Sequence, residues 1–162
     1  MNLTEHFSMK ELTNSQTAIK NGISNIPKDP QVVANLTTLC EKVLEPLREG
    51  MGCPIKISSG YRSPELNKLI GGVSASQHNV GQAVDIDLDD KNAELFSYIV
   101  NNLDFDQIIW EFGDDKNPDW VHVSYKTAGN RKQLLKAVRV NGKTSYQAMD
   151  AKNFKPKKKA SK

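Results

Sequence analysis

The sequence has few cysteines and no long apolar run, and both shortages limit the kinds of protein it can encode. Its 162 residues include two cysteines, Cys40 and Cys53, whose spacing fits no common metal-binding pattern. We expect two free or buried thiols rather than a disulfide. No apolar stretch approaches the roughly 18 residues of a membrane-spanning helix, so we expect no integral membrane segment. Residues 1–7 lack the basic and apolar regions of a Sec signal peptide, which predicts synthesis in the cytoplasm.

Acidic residues are missing from the C-terminal stretch. The formal net charge is +3, but residues 151–162 contain six lysines and no acid, so the preceding residues carry a net charge of −3. We interpret residues 1–150 as one domain, long enough to bury a core, and residues 151–162 as a basic, disordered tail. The tail could instead attract an anionic polymer such as the cell wall. The domain has no interleaved aromatic and basic residues, so we expect no nucleic-acid binding.

Helical spacing and capping residues predict four helices. Ser8 to Glu11 has the form of a capping box and predicts a short helix. Apolar residues at helical spacing predict the longest helix over 31–49, with a kink or early end at Pro46. Ser63 followed by Pro64 predicts the start of another helix, and residues 90–103 form the last.

Alternating apolar and polar residues predict the strands. The segments are 55–59, 82–88, 107–112 and 120–125, followed by a hairpin over 134–146 that turns at Asn141-Gly142. Asp85 should face away from the apolar side of its strand, and His122 should share a face with Trp120 and Ser124. We therefore expect an α+β fold, an antiparallel sheet with helices packed on one face.

Histidine is also scarce, with three in the chain, and two of them lie in structured settings. His78 is followed seven residues later by Asp85, with Gly81 allowing a tight backbone path between them, and His122 lies on a predicted strand. A catalytic zinc ion usually takes three protein ligands and leaves a fourth position for water. These three residues could fill that role, although a histidine on a strand is often a surface or core residue. His6 precedes the first helix cap, and we assign it no role.

Three segments, in this order, resemble the zinc D-Ala-D-Ala carboxypeptidase family. They are Ser-Gly-Tyr-Arg-Ser (59–63), Ser-x-His-x-x-Gly-x-Ala-x-Asp (76–85) and Trp-Val-His-Val-Ser (120–124). Relatives of that family include the vancomycin-resistance D,D-dipeptidases, the L-alanyl-D-glutamate endopeptidases of phage endolysins and the hedgehog-like fold. The resemblance spans roughly residues 5–146 and implies a hedgehog-like or DD-peptidase-like domain.

The resemblance implies a metal site and a general base. It implies that His78, Asp85 and His122 bind Zn²⁺. Family members place a Glu or Asp three residues before the last histidine ligand as the general base, and here that residue is Asp119. In an ideal strand Asp119 would point away from His122, so Glu111 on the neighbouring strand is the alternative base.

Two further residues match family positions that contact substrate. Arg62 corresponds to an arginine near the scissile bond, where its planar donors would suit a peptide carbonyl or a developing oxyanion. It could instead cap a helix or pair with Glu65. Ser76 matches a substrate-contacting serine and could equally be an ordinary loop hydroxyl.

The resemblance implies a zinc-dependent peptidase that cleaves a bond in the peptidoglycan stem peptide. A D-Ala-containing bond is expected, cut by a carboxypeptidase or by an endolysin-type endopeptidase. Without a signal peptide, a monomeric phage or prophage enzyme is expected, acting at the cell wall after release or as part of a phage particle. The alternative is a non-catalytic zinc-containing cell-wall binding module of the same fold. Asp119 and Arg62 argue against it.

Overall fold

The computed structural model describes residues 1–71 and 76–151. This part of the chain forms helices and strands in the order α1 (Met9–Thr13), α2 (Gln16–Lys20), α3 (Pro30–Leu39), α4 (Glu45–Met51), β1 (Ile57–Ser59), α5 (Pro64–Leu69), β2 (Ala83–Ile86), α6 (Asn92–Asn102), β3 (Gln107–Glu111), β4 (Trp120–Ser124), β5 (Gln133–Val140) and β6 (Lys143–Ala148). A π-helical turn spans Cys40–Leu44, and 3-10 turns span Gln77–Val80 and Asp89–Lys91. The predicted basic tail lies outside the described residues from position 152 onward.

The longest predicted helix is confirmed as α3, the π-helical turn and α4 in direct succession. Pro46 lies in the first turn of α4, where its missing amide hydrogen breaks no helical bond that α4 needs. The wider turn before it shifts the hydrogen bonding by one residue, since the amide of Glu45 donates to the carbonyl of Cys40. The chain thus continues past the proline. Its inward face is fully buried and consists of Leu36, Leu39, Cys40, Val43, Leu44 and Leu47.

The other local predictions agree with the structure. Ser8 and Glu11 form the predicted capping box at the start of α1. Ser63 caps α5 with Pro64 in the first turn. The hairpin of β5 and β6 turns at Asn141 and Gly142, as expected. Both cysteines are free thiols.

In the described part of the chain, six strands form one sheet in the order β1-β2-β4-β3-β5-β6. The predicted antiparallel sheet needs one correction, because β3 and β5 are parallel while the other neighbouring pairs are antiparallel. The reason is the place where β4 ends. Ser124 pairs with Gln107 at the start of β3, so a chain that returns directly begins β5 beside that start, with Gln133 next to Gln107. The fold is mostly antiparallel α+β.

The two faces of the sheet have different roles. On one face, apolar side chains of β2, β3 and β4 join the core with α3, α4 and α6; they are Val84, Ile86, Ile108, Trp110, Val121 and Val123. The other face lines a cavity and carries Asp85, Glu111 and His122. Asp85 therefore faces away from the core, as predicted. Within residues 1–71 and 76–151 no helix is long and apolar enough to cross a bilayer.

Candidate metal centre

His78, Asp85 and His122 come together on the open face of the sheet. One ligand atom from each lies within 4.8 Å of the others. Asp85 is in the middle, since its Oδ1 is 3.0 Å from Nδ1 of His122 and 3.5 Å from Nε2 of His78. The two imidazole rings meet edge to face with their centroids 5.1 Å apart. The chain thus brings together the three residues that its spacing had only suggested.

Strand pairing fixes two members of this cluster. Asp85 on β2 and His122 on β4 are directly opposite each other in the antiparallel register. Burial alone would raise the pKa of Asp85, but the hydrogen bond from His122 and the adjacent imidazole of His78 outweigh it and hold that pKa well below its usual range. The carboxylate is therefore ionised at neutral pH, as a metal ligand must be.

A tight turn carries the third member, His78. The Ser76 hydroxyl accepts a hydrogen bond from the His78 amide at 3.1 Å and caps the 3-10 turn Gln77–Val80. The turn ends at Gly81, whose φ of 77° is left-handed and whose added Cβ would lie 2.7 Å from the carbonyl oxygen of Val32. Only glycine fits there without strain, so Gly81 has the predicted role of returning the chain toward Asp85.

The donor set fits zinc. The carbonyl of Gly60 can only accept, so Nδ1 of His78, 2.8 Å away, donates to it and leaves the Nε2 lone pair facing Asp85. Bonds of about 2.0 to 2.2 Å in a tetrahedron place neighbouring ligand atoms roughly 3.3 to 3.6 Å apart. The separations of 3.0 and 3.5 Å to Oδ1 of Asp85 are close to that range. Two imidazoles and one carboxylate also leave one coordination position open.

A cavity of about 650 Å³ opens over these three residues and contains a further carboxyl group, that of Glu111. Glu111 on β3 is opposite Trp120 on β4, which puts it on the same sheet face as His122. It is only 8% exposed. Burial, reinforced by the negative charge of Asp85, raises the pKa of Glu111 to about 7 against the opposing effect of His122.

Arg62 lies in the wall of the same cavity, just after β1. Its backbone is tied to the metal-site turn, because the Arg62 amide donates to the His78 carbonyl at 3.1 Å and the Asn79 side chain donates to the Arg62 carbonyl at 2.8 Å. Burial lowers the pKa of Arg62, and the charges of Asp85 and Glu111 oppose this effect. The buried Nε of Arg62 has no hydrogen-bond partner among the described residues. The Arg62 residue nevertheless lines the cavity, so its guanidinium is placed to contact a ligand there.

Asp119 and Ser76 have different surroundings. Ser76 lines the cavity while its hydroxyl caps the His78 turn. Asp119 is exposed and lines a neighbouring cavity beside Phe112 and Gly113. Its amide donates to the carbonyl of Glu111 at 2.9 Å, so Asp119 lies just outside the β3–β4 pairing. Of the two candidate bases, Glu111 shares the cavity with the metal ligands.

Sequence reasoning did not single out four cavity residues near the far edge of the sheet. They are Phe112, Arg139, Thr144 and Tyr146. A signal was available, because Arg139, Thr144 and Tyr146 lie on alternating positions of the hairpin that was predicted. The sequence did not reveal that this hairpin pairs with β3 and so reaches the cavity.

One comparison with known proteins gave a match. The family model described as "Peptidase M15" matches residues 5–124, which include all three candidate ligands, Glu111 and Arg62. A search of curated proteins gave no match. Because the matched segment covers well over half of the chain, the protein belongs to the M15 family of peptidases.

Proposed function

We propose that this protein is a zinc metallopeptidase that hydrolyses a peptide bond in the peptidoglycan stem peptide, with a D-Ala-containing bond as its preferred target. Membership of a peptidase family makes it a hydrolase of peptide bonds. The observation that carries the proposal is the cluster of His78, Asp85 and His122 in the lining of a cavity of about 650 Å³. We assign these three side chains as the zinc ligands.

Glu111 is our candidate for the general base. When bound, zinc would supply Lewis acidity that polarises a carbonyl group and acidifies water. A carboxyl group with a pKa near 7 can take a proton from the attacking water and return it to the leaving amine. Because a bound cation favours the ionised carboxyl, the pKa of Glu111 in the loaded enzyme would lie below that value. Glu111 would then be the ionised, proton-accepting form at neutral pH.

Asp119 is the competing base, since it precedes His122 by three residues as the family resemblance implies. Its exposed side chain belongs to the neighbouring cavity, and a base must come within hydrogen-bond reach of the proton that it removes. This argument favours Glu111. Replacement of each carboxylate separately distinguishes them.

Arg62 and Ser76 would hold the substrate. The guanidinium of Arg62, which lines the cavity, would suit the carbonyl oxygen beside the scissile bond, on which negative charge develops during attack. Ser76 would act mainly by holding the His78 turn, and as a cavity residue it would also contact the peptide. In this proposal Arg62 stabilises the transition state and Ser76 maintains the geometry of the metal site.

The experiment is to incubate zinc-loaded protein with purified muropeptides and to identify the products by mass spectrometry. We expect loss of D-Ala or cleavage of a cross-link, and the product masses name the bond. One zinc bound per chain with no cleavage of any muropeptide would contradict the proposal. That result would favour a non-catalytic zinc-containing module that binds the cell wall.

A further inference from the structure

We propose that the hairpin of β5 and β6 adds an anion-binding subsite to the cavity, in which Arg139 binds a carboxylate of the peptide substrate. The inference deepens the proposed function and rests on it for the identity of the peptide. The matched family segment ends at residue 124, so the whole hairpin lies beyond it. The proposed function gives no role to any residue of the hairpin.

The hairpin presents its polar side chains to the cavity as a group. Arg139 is directly opposite Thr144, and Tyr146 is opposite Ala137, two residues from Arg139. Residues that are opposite or two apart share a sheet face, so Arg139, Thr144 and Tyr146 point the same way. All three line the cavity that contains Glu111 and the metal cluster. One cation and two hydroxyl groups therefore face the substrate space.

Phe112 holds the arginine in position. The Arg139 guanidinium lies over the Phe112 ring, with Cζ 4.6 Å from the ring centroid. Phe112 has a φ of 57°, a left-handed conformation that costs a bulky residue energy. The turned ring is also packed against Trp120, with 5.5 Å between the centroids. An aromatic side chain kept in a strained conformation under an arginine is a sign of a functional constraint.

The stacked guanidinium keeps its hydrogen-bond donors available. Stacking uses the face of the guanidinium, while its N–H groups point outward in the plane and can bind a carboxylate through two parallel hydrogen bonds. Among residues 1–71 and 76–151, no acidic side chain forms an ion pair with Arg139. By contrast, Arg131 on the preceding loop is paired with Asp106 at 2.8 Å. Arg139 is thus a positioned cation with no acidic partner in the described part of the chain.

Tyr146 and Thr144 supply neutral donors beside it. Partial burial raises the pKa of Tyr146, and the charges of Glu111 and Asp85 raise it further. The phenol therefore stays protonated at neutral pH and can donate a hydrogen bond to an anion. Neutral donors around one cation are a suitable lining for a single carboxylate.

The position of the subsite limits which carboxylate can reach it. β5 lies two strand spacings from β4, and Arg139 is four residues along β5 from Leu135, which is level with His122, so the backbone of Arg139 is roughly 16 Å from that of His122. An extended peptide covers that distance in about five residues, and the length of the arginine side chain shortens the span. The ligand is then a carboxylate within a few residues of the scissile bond, and stem peptides carry such groups on D-Glu and at the C-terminus.

The test measures binding and hydrolysis separately. The probes are the pentapeptide L-Ala-γ-D-Glu-L-Lys-D-Ala-D-Ala and two analogues, one with the D-Glu α-carboxylate amidated and the other with the C-terminus amidated. The proteins are full-length and zinc-loaded: the wild type, Arg139→Ala, Arg139→Lys and, as a matched control, Lys143→Ala. Lys143 is an exposed cation on the same hairpin that does not line the cavity. Kd is measured by calorimetry with the Glu111→Gln substitution added to each, and kcat and KM without it.

We expect one amidated analogue to bind about tenfold more weakly than the parent peptide, as a charge-assisted hydrogen bond would give. Arg139→Ala should bind the parent peptide and that analogue equally, Arg139→Lys should retain part of the difference, and Lys143→Ala all of it. The subsite is overturned if Arg139→Ala still binds the parent peptide more tightly than the analogue by the same factor as the wild type. It is also overturned if Lys143→Ala loses as much affinity for the parent peptide as Arg139→Ala does, or if no probe binds. Arg139-dependent binding without hydrolysis would overturn the proposed peptidase activity alone. Hydrolysis by the wild type with no effect of Arg139 would overturn the subsite alone.

Discussion

Asp85 and His122 are opposite each other on β2 and β4, and Oδ1 of the aspartate lies 3.0 Å from Nδ1 of the histidine. Their neighbours Val84 and Val123 are also opposite each other, and both are fully buried on the other face of the sheet. A register shift of one residue would move the polar pair into the core and the valines out of it. The packing of the core therefore also fixes the geometry of the metal pair.

Replacing Glu111 should lower kcat severely, whereas replacing Asp119 should change it little. Glu111→Gln should retain zinc and lower kcat by roughly 10²- to 10⁴-fold, because the proton acceptor in the cavity is lost. Asp119→Asn, at an exposed position outside that cavity, should change kcat by less than about threefold. The measurement is kcat on a muropeptide with zinc content checked in parallel. A severe loss in Asp119→Asn with full activity in Glu111→Gln would exchange the two roles.

Substitution of Gly81 should lower the stability of the protein by more than its left-handed backbone conformation alone would cause. Gly81→Ala should destabilise the protein by more than the roughly 1–2 kcal/mol of a left-handed alanine, since the new methyl group would lie 2.7 Å from the Val32 carbonyl oxygen. It should also weaken zinc binding by moving His78. Gly142→Ala is the control, because Gly142 has the same φ of 77° with nothing within 4 Å of an added Cβ. Urea unfolding and zinc titration check both variants, and equal losses would refute the steric argument.

Asp106 should make the stability depend on acid pH. Its carboxylate is completely buried; burial raises its pKa, but bonds from the Arg131 side chain and amide, with Gln77, lower it to about 2. Since the unfolded value is near 4, the ionised group stabilises the folded protein fully above about pH 4 and loses that contribution as the pH falls toward 2.

We therefore expect Asp106→Asn to be less stable than the wild type by roughly 2 kcal/mol at pH 6 and by much less at pH 2.5. Urea unfolding at the two pH values gives these differences. Asp104→Asn, at an exposed neighbouring carboxylate, should change little at either pH. A stability difference for Asp106→Asn that does not vary with pH would show that the Asp106 pKa is not depressed.

The two thiols should react at very different rates. Burial raises the pKa of Cys40 to about 12, so almost no thiolate forms at pH 8, whereas Cys53 is partly accessible. Titration of the folded protein with a thiol-reactive disulfide reagent should label one cysteine per chain quickly. The second should react only after unfolding. Rapid labelling of both cysteines in the wild type, or of the remaining Cys40 in Cys53→Ser, would contradict the buried position of Cys40.

Local signals predicted the elements, because they depend on short-range chemistry. The capping box at Ser8, the proline start of α5 and the Asn141-Gly142 turn each specify backbone geometry within a few residues. Strand alternation likewise predicted that Asp85 faces away from the core and that His122 shares a face with Trp120 and Ser124. The sequence did not reveal the parallel pairing of β3 with β5, because that follows from where β4 ends in space.

The site could be predicted only in part for the same reason. Spacing suggested three ligands, but the order of preference between Asp119 and Glu111 depends on the register of β3 against β4, which puts Glu111 beside Trp120. The hydrogen bond from His78 to Gly60 joins residues 18 apart through a loop and a helix. Such contacts result from tertiary packing, and the family resemblance could predict them only by analogy.

The most direct test of the central claim compares two histidines. His122→Ala removes a proposed ligand, while His6→Ala changes an exposed histidine that pairs with Glu45 far from the cavity. After loading with zinc and desalting, the metal content of each protein is measured by mass spectrometry, and hydrolysis of muropeptides is followed in the same samples. We expect one zinc per chain and full activity in the wild type and in His6→Ala, and neither in His122→Ala. A folded His122→Ala protein that retains one zinc per chain would contradict the assignment of the metal centre.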